Sequence, residues 1–330
     1  MCLLALSGCV KTIHDDIPST QIALKSSQRE QQAEAYFLQG QQAQSNGNTA
    51  EALAAYALIC KNYLETDVAP RAFHQSGKIF QATGRLEQAF NQLKFITKNY
   101  VDYADYDAVL QNEFQIACTL MERYKNKKGW TWLTFFKDPT PAIACFQHIV
   151  DSSPRSDSAP RALFYIAQLQ FENNEKVKAV EALDRIIEKY PLSPWTPDAY
   201  LLQGKIYLSF VNSEQNDQGM TQKAIHCYED FLLLFGASEL KDKVEEAKRE
   251  LAAAQVLYAK SRLVLGDFYL YRRSYPEGAI VFYNEARMLA PTSEVAQQAD
   301  ERIDFSNSKT FAPMTWADRC FGRVVHKPTR

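Results

Sequence analysis

The chain has 330 residues, of which 37 are Lys or Arg and 39 are Asp or Glu, for a formal charge of −2. That balance gives no positive footprint for nucleic acid, and no apolar run approaches the roughly 20 residues a bilayer-spanning helix needs. The length suits one or two compact domains, or a repeat array that grows lengthwise instead.

The first nine residues, MCLLALSGC, do not share the repeat pattern of the rest of the chain. Leu6-Ser7-Gly8-Cys9 resembles the lipobox of bacterial lipoproteins, a stretch cut before a cysteine that then carries lipid. On that resemblance Cys9 is the lipidation site and the mature N-terminus. Few residues precede it and none is basic, so residues 1–9 read as a truncated signal, which a start site placed too late would explain; the alternative is a chance apolar terminus. Residues 10–31 are polar and carry no sustained period, which predicts a flexible tether reaching about 25 Å. His14-Asp15-Asp16 has no further ligand within reach and is not read as a metal site.

From Glu34 to Tyr100 two helical hairpins are expected, because Gly40, Gly47, Ala52, Tyr56 and Ile59 recur as Gly77, Gly84, Ala89, Leu93 and Ile96. A small residue in the first helix lets the facing helix approach, and the large one fills the space beside it. First-helix positions that point away from the partner helix are expected to line an inner groove: Phe37, Gln41, Arg71, His74 and Lys78. One aromatic and several donors suit an extended peptide; the alternative is plain solvated surface.

The third unit carries an insertion, Lys125 to Lys137, with Trp130, Trp132, Phe135 and Phe136 among lysines. Three uses fit these aromatics: a partner contact, a lipid interface, or a fold-back that covers the array. The clearest hairpin runs from Ala159 to Pro197. Leu163, Phe164, Ala167 and Phe171 recur at helical spacing, Glu172-Asn173-Asn174 breaks the pattern, and Ala179, Leu183, Ile186 and Tyr190 form the second stripe. The same stripe one repeat earlier is Ala142, Phe146 and Ile149. Asn212 to Gly219 reads as a polar loop, Glu239 to about Tyr271 as one long or barely broken helix, and Ser293 to Phe305 as a capping helix. Residues 306–330 form a basic tail with interleaved aromatics, suited to disorder or to a partner. The expected class is therefore all-α, a tetratricopeptide-like α-α superhelix, or solenoid, of about six helical hairpins over residues 32–305.

Seven cysteines include no CxxC pair, so no metal or dithiol redox site is expected, and Cys60, Cys145 and Cys227 fall beside apolar stripes as small buried hydrophobes. His226 and Cys227 are adjacent and so diverge on a helix, and no phosphate-cradling glycine loop occurs. No enzyme activity, cofactor or small-molecule substrate is predicted.

The run Phe95 to Tyr100, then Tyr103-Ala104-Asp105-Tyr106, Asp138-Pro139 opening a helix, and Phe268 to Ala279 appear in an order that resembles the BamD family. That family, also called YfiO or ComL, is the lipoprotein component of the outer-membrane β-barrel assembly machinery. The resemblance covers most of residues 34–303; the chain departs from it by two insertions and an additional repeat from about Ala159 to Leu208. It implies a lipid anchor on the periplasmic face of the outer membrane. It also implies a BamA-like barrel-assembly protein and unfolded outer-membrane proteins as partners. The alternative is another lipid-anchored periplasmic tetratricopeptide scaffold, for envelope maintenance or cell division.

Overall fold

The structure, a computed structural model, describes residues 19–126, 138–211 and 218–308. Cys9, Trp130, Trp132, Phe135, Phe136 and the tail beyond residue 308 lie outside the described residues. Among those described there is no strand and no helix long and apolar enough to cross a membrane. Over the described residues the fold is all-α, a tetratricopeptide-like solenoid of six helical hairpins and a closing helix, as the periodicity predicts.

The chain divides into two compact units after Ser152. In the first, α1 (Ser19–Ser45) pairs with α2 (Thr49–Asn62), α3 (Val68–Ala82) with α4 (Leu86–Asn99), and α5 (Tyr106–Asn126) with α6 (Thr140–Ser152). In the second, α7 (Ser158–Glu172) pairs with α8 (Lys176–Lys189), α9 (Thr196–Ser209) with α10 (Gln218–Phe235), and α11 (Lys241–Asp267) with α12 (Pro276–Leu289). A π-helical turn, Phe268–Arg272, extends α11, and α13 (Glu294–Ser308) packs on α12.

Four of the hairpins are closed by close approach at a glycine: Gly40, Gly77, Gly204 and Gly266. A Cβ on Gly40 would sit 2.5 Å from the Tyr56 ring, and one on Gly204 equally near Tyr228; both tyrosines are fully buried. The hairpin turns repeat as well. Gly84 N–H donates to the Gln81 carbonyl and Arg85 N–H to that of Phe80, with Gly84 at φ +76°. Asn174 and Glu175 make the same two bonds to Phe171 and Gln170, with Asn174 at φ +63°. Asparagine is the non-glycine residue that tolerates this left-handed region best, so the Asn173-Asn174 break is a turn of the same kind.

Two expected boundaries shift. Helix α1 begins at Ser19, so it takes in much of the stretch 10–31 expected to be a tether. Polar contacts hold it: Arg29 pairs with Glu65 and donates to the Asn62 carbonyl, Glu30 accepts from the Asp67 N–H at 3.3 Å, and Gln32 accepts from the Tyr63 hydroxyl at 3.3 Å. No apolar period marks such contacts. At the other end α13 continues through Ser306, which is buried and donates to the Arg302 carbonyl at 2.7 Å, so the folded part ends past residue 305.

Candidate functional site: the first-helix face of the first unit

Helices α1, α3 and α5 are the first helices of successive hairpins, and their residues recur at a separation of 37, as the Glu34 and Arg71 pair shows. Three parallel stripes result from one-turn spacing on each helix. They are Glu34, Leu38 and Gln41 on α1; Arg71, Gln75 and Lys78 on α3; and Ala108, Asn112 and Gln115 on α5. All nine side chains are at least partly exposed.

The five residues expected to line the groove divide into two depths. Gln41 and Lys78 are exposed, and Arg71 is half-exposed. Phe37 and His74 are not on the face: both are buried, at 2 % and 3 % exposure. Phe37 packs on Tyr56 with ring centroids 5.5 Å apart, and the Arg71 guanidinium lies 4.2 Å above its ring while bonding Glu34 at 2.8 Å. The aromatic therefore supports the arginine from below, by a cation–π contact, and is not itself available to a ligand.

His74 is the centre of a hydrogen-bond chain. Asn112 Nδ2 donates to its Nε2 at 3.1 Å, which places the ring proton on Nδ1, facing the Tyr103 hydroxyl at 3.5 Å. Tyr103 in turn donates to Asp105 at 3.3 Å. Burial lowers the His74 pKa to about 4 and the nearby Lys78 charge works the same way, against the opposing pull of Asp105. The ring is thus neutral at neutral pH and positions Asn112 and Tyr103. Those two, with Leu38 at 56 % exposure, are surface groups that the sequence pattern did not single out. For Asn112 the 37-residue period was the signal that would have found it, one repeat past Gln75.

Chemically this face is rich in primary amides. Gln41, Gln75 and Lys78 have no hydrogen-bond partner among the described residues, and Gln115 accepts from Gln81 at 3.4 Å. An amide side chain offers both donor and acceptor, as each residue of an extended peptide backbone does. Deeper in the unit, Glu113 is fully buried; Thr97 donates to it at 3.0 Å and His148 Nε2 lies 3.6 Å away. Beside this cluster, burial pushes the Cys145 thiol up to about 12, with the Glu113 charge adding to the effect. Cys60 and Cys227 are also raised to about 12 by burial, so none of the three is an activated nucleophile.

Among solved structures the chain is similar to several helical-repeat proteins, all at low identity. A tetratricopeptide repeat protein from Parabacteroides merdae is 12 % identical over 84 % of this chain and 100 % of its own, with a TM-score of 0.33. A thermophilic tetratricopeptide protein of Thermus thermophilus is 16 % identical over 66 % of this chain and 98 % of its own, at 0.32. MamA of Desulfovibrio magneticus is 14 % identical over 63 % and 97 %, at 0.31. At such TM-scores these likenesses add nothing to the fold, which stands on the hairpins themselves. No curated protein matches. The family model for the tetratricopeptide repeat matches residues 161–193, which are α7 from its first turn, α8 and the turn after it, so that hairpin is a tetratricopeptide repeat and the chain has the architecture of a protein-binding scaffold.

Proposed function

We propose that the chain is a lipid-anchored scaffold of the BamD type, which holds extended segments of unfolded outer-membrane proteins and presents them to a BamA-like assembly protein at the periplasmic face of the outer membrane. The observation that carries the binding role is the amide-rich face of α1, α3 and α5. It meets peptide backbone groups without demanding a particular sequence, as a client set of many different barrels requires. The lipobox at Cys9 and the order of motifs from Phe95 to Ala279 supply the cellular setting. Affinity on such a surface is a sum of weak contacts, with Arg71 and Leu38 as the points that fix register. Crosslinked pull-down of the tagged full chain from native membranes tests this: recovery of the barrel-assembly protein with nascent outer-membrane proteins is expected. A soluble protein after Cys9→Ala, with the parent in membranes, checks the anchor separately.

One observation favours the second reading, a lipid-anchored periplasmic scaffold with other envelope partners. The hairpin α7 and α8, which the repeat family matches, is the additional repeat by which this chain departs from BamD. Recovery from membranes with envelope proteins other than the barrel-assembly protein would select that reading.

A further inference from the structure

We propose that the second unit carries its own docking site, at the turn between hairpins α7/α8 and α9/α10, for an acidic segment of a protein partner with apolar residues beside its carboxylates. A recess of about 710 Å³ opens there, lined chiefly by Arg155, Asp157, Arg161, Lys189, Leu192 and Trp195. Three cations face one carboxylate. Neither Arg155 nor Lys189 has an ion-pair or hydrogen-bond partner among the described residues, and both are exposed.

The aromatic wall is held in place. Trp195 packs on Phe164 at 5.3 Å and edge-on to Tyr165 at 5.8 Å between centroids. The Arg161 guanidinium lies 5.7 Å from the Trp195 ring and within hydrogen-bond reach of the Tyr165 hydroxyl, at 3.4 Å. Its orientation is fixed before any ligand arrives, which reduces the entropy lost on binding. Leu192 projects into solvent at 99 % exposure. A leucine that contributes nothing to its own fold, beside a rigid tryptophan and the unpaired Arg155 and Lys189, is the composition of a contact surface and not of a solvated loop.

The turn itself does not require these residues. Ser156 and Ser193 donate to the Ser153 and Tyr190 carbonyls, as Thr66 and Tyr103 do to those of Tyr63 and Tyr100, so the four turns share one backbone pattern. Counted from these turn starts, Glu65 stands where the second unit has Arg155, Asn99 where it has Lys189, and Asp105 where it has Trp195. Arg71 stands where it has Arg161, but is tied to Glu34. The first-unit turns place carboxylates that have internal partners where the second unit places Trp195 and Arg155, the latter without a partner among the described residues. Charge complementarity therefore assigns the second recess to carboxylates from outside, with neighbouring apolar side chains meeting Leu192 and Trp195.

The test uses the full chain and two fluorescein-labelled capped hexapeptides, one alternating Asp with Leu and Phe, the other with Asn in place of Asp. Anisotropy titration is expected to show binding of the acidic peptide, at least about tenfold weaker binding of its Asn twin, and at least about tenfold weakening by the double variant R155E/K189E. Lys61→Glu, an exposed α2 position of the first unit that belongs to neither binding face, should leave this binding unchanged. Both variants alter exposed side chains, so circular dichroism should match the parent. Failure of the acidic peptide to bind at millimolar concentration, or equal affinity for the two peptides or for parent and R155E/K189E, overturns the proposal. The site stands on second-unit residues alone, so these outcomes say nothing against the outer-membrane reading.

Discussion

In the first unit the turn from Tyr100 to Asp105 carries Asp102 and Asp105, and the preceding turn carries Glu65, which Arg29 neutralises. In the second, the turn from Tyr190 to Trp195 and the one before it carry Trp195 and Arg155, with Lys189 and Arg161 on the helix ends beside them. The backbone hydrogen bonds are the same in both, so what differs is only the side chains the repeat is free to vary. A repeat of this kind separates two tasks. Glycine and tyrosine between paired helices set the shape, and the turn ends and outward stripes hold whatever chemistry the binding surface needs.

The comparison breaks first, and with the largest effect, at the shared core. Tyr56→Ala and Tyr228→Ala remove equivalent fully buried rings, and each should cost about 3–5 kcal/mol in urea unfolding. A much smaller loss in one unit would mean that the hairpins are not built alike. Gly77→Ala and Gly204→Ala press a methyl group onto Leu93 and Tyr228, and about 1–3 kcal/mol is expected from each. Arg71→Ala removes a half-exposed ion pair and uncovers Phe37, for about 1 kcal/mol, whereas Arg155→Ala should stay within about 0.5 kcal/mol because nothing in the fold depends on it. That contrast sharpens the comparison, since it separates a cation used by the fold from one left to a partner.

A pH slope set by His74 is a further mark of the first unit. His74 has a folded pKa of about 4, below its unfolded value of 6.5, so below pH 6.5 the unfolded chain binds more protons. The stability linked to this residue is complete above about pH 6.5 and is lost as pH falls towards 4. Urea unfolding at pH 7.5 and pH 5 should show the parent losing more stability than His74→Gln.

The repeat spacing made the hairpins legible, and Gly40, Tyr56, Gly204 and Tyr228 meet as their positions implied. Depth on the first helices was not legible. A helical period marks the centre of an apolar stripe but not its width, and α3 packs on α1, α2 and α4 together, so its buried arc is wide enough to take in His74. On α1, Phe37 likewise turns inward, to Tyr56. The start of α1 went unread because Arg29, Glu30 and Gln32 hold it through polar contacts with no period of their own. The second-unit recess left one trace, the reversal of charge between Glu65 and Arg155 at matching positions, visible only once the turns are superposed by their hydrogen bonds.

The burial of Cys145 and Cys227, and the partial burial of Cys60, has a consequence for their thiol chemistry. Disulfide exchange and oxidation proceed through the thiolate. With pKa values near 12, these three residues hold only about one part in 10⁵ in that form at pH 7. They are therefore poor partners for stray oxidants and for one another. The low thiolate content slows oxidation and exchange at these three positions without any bridge between them.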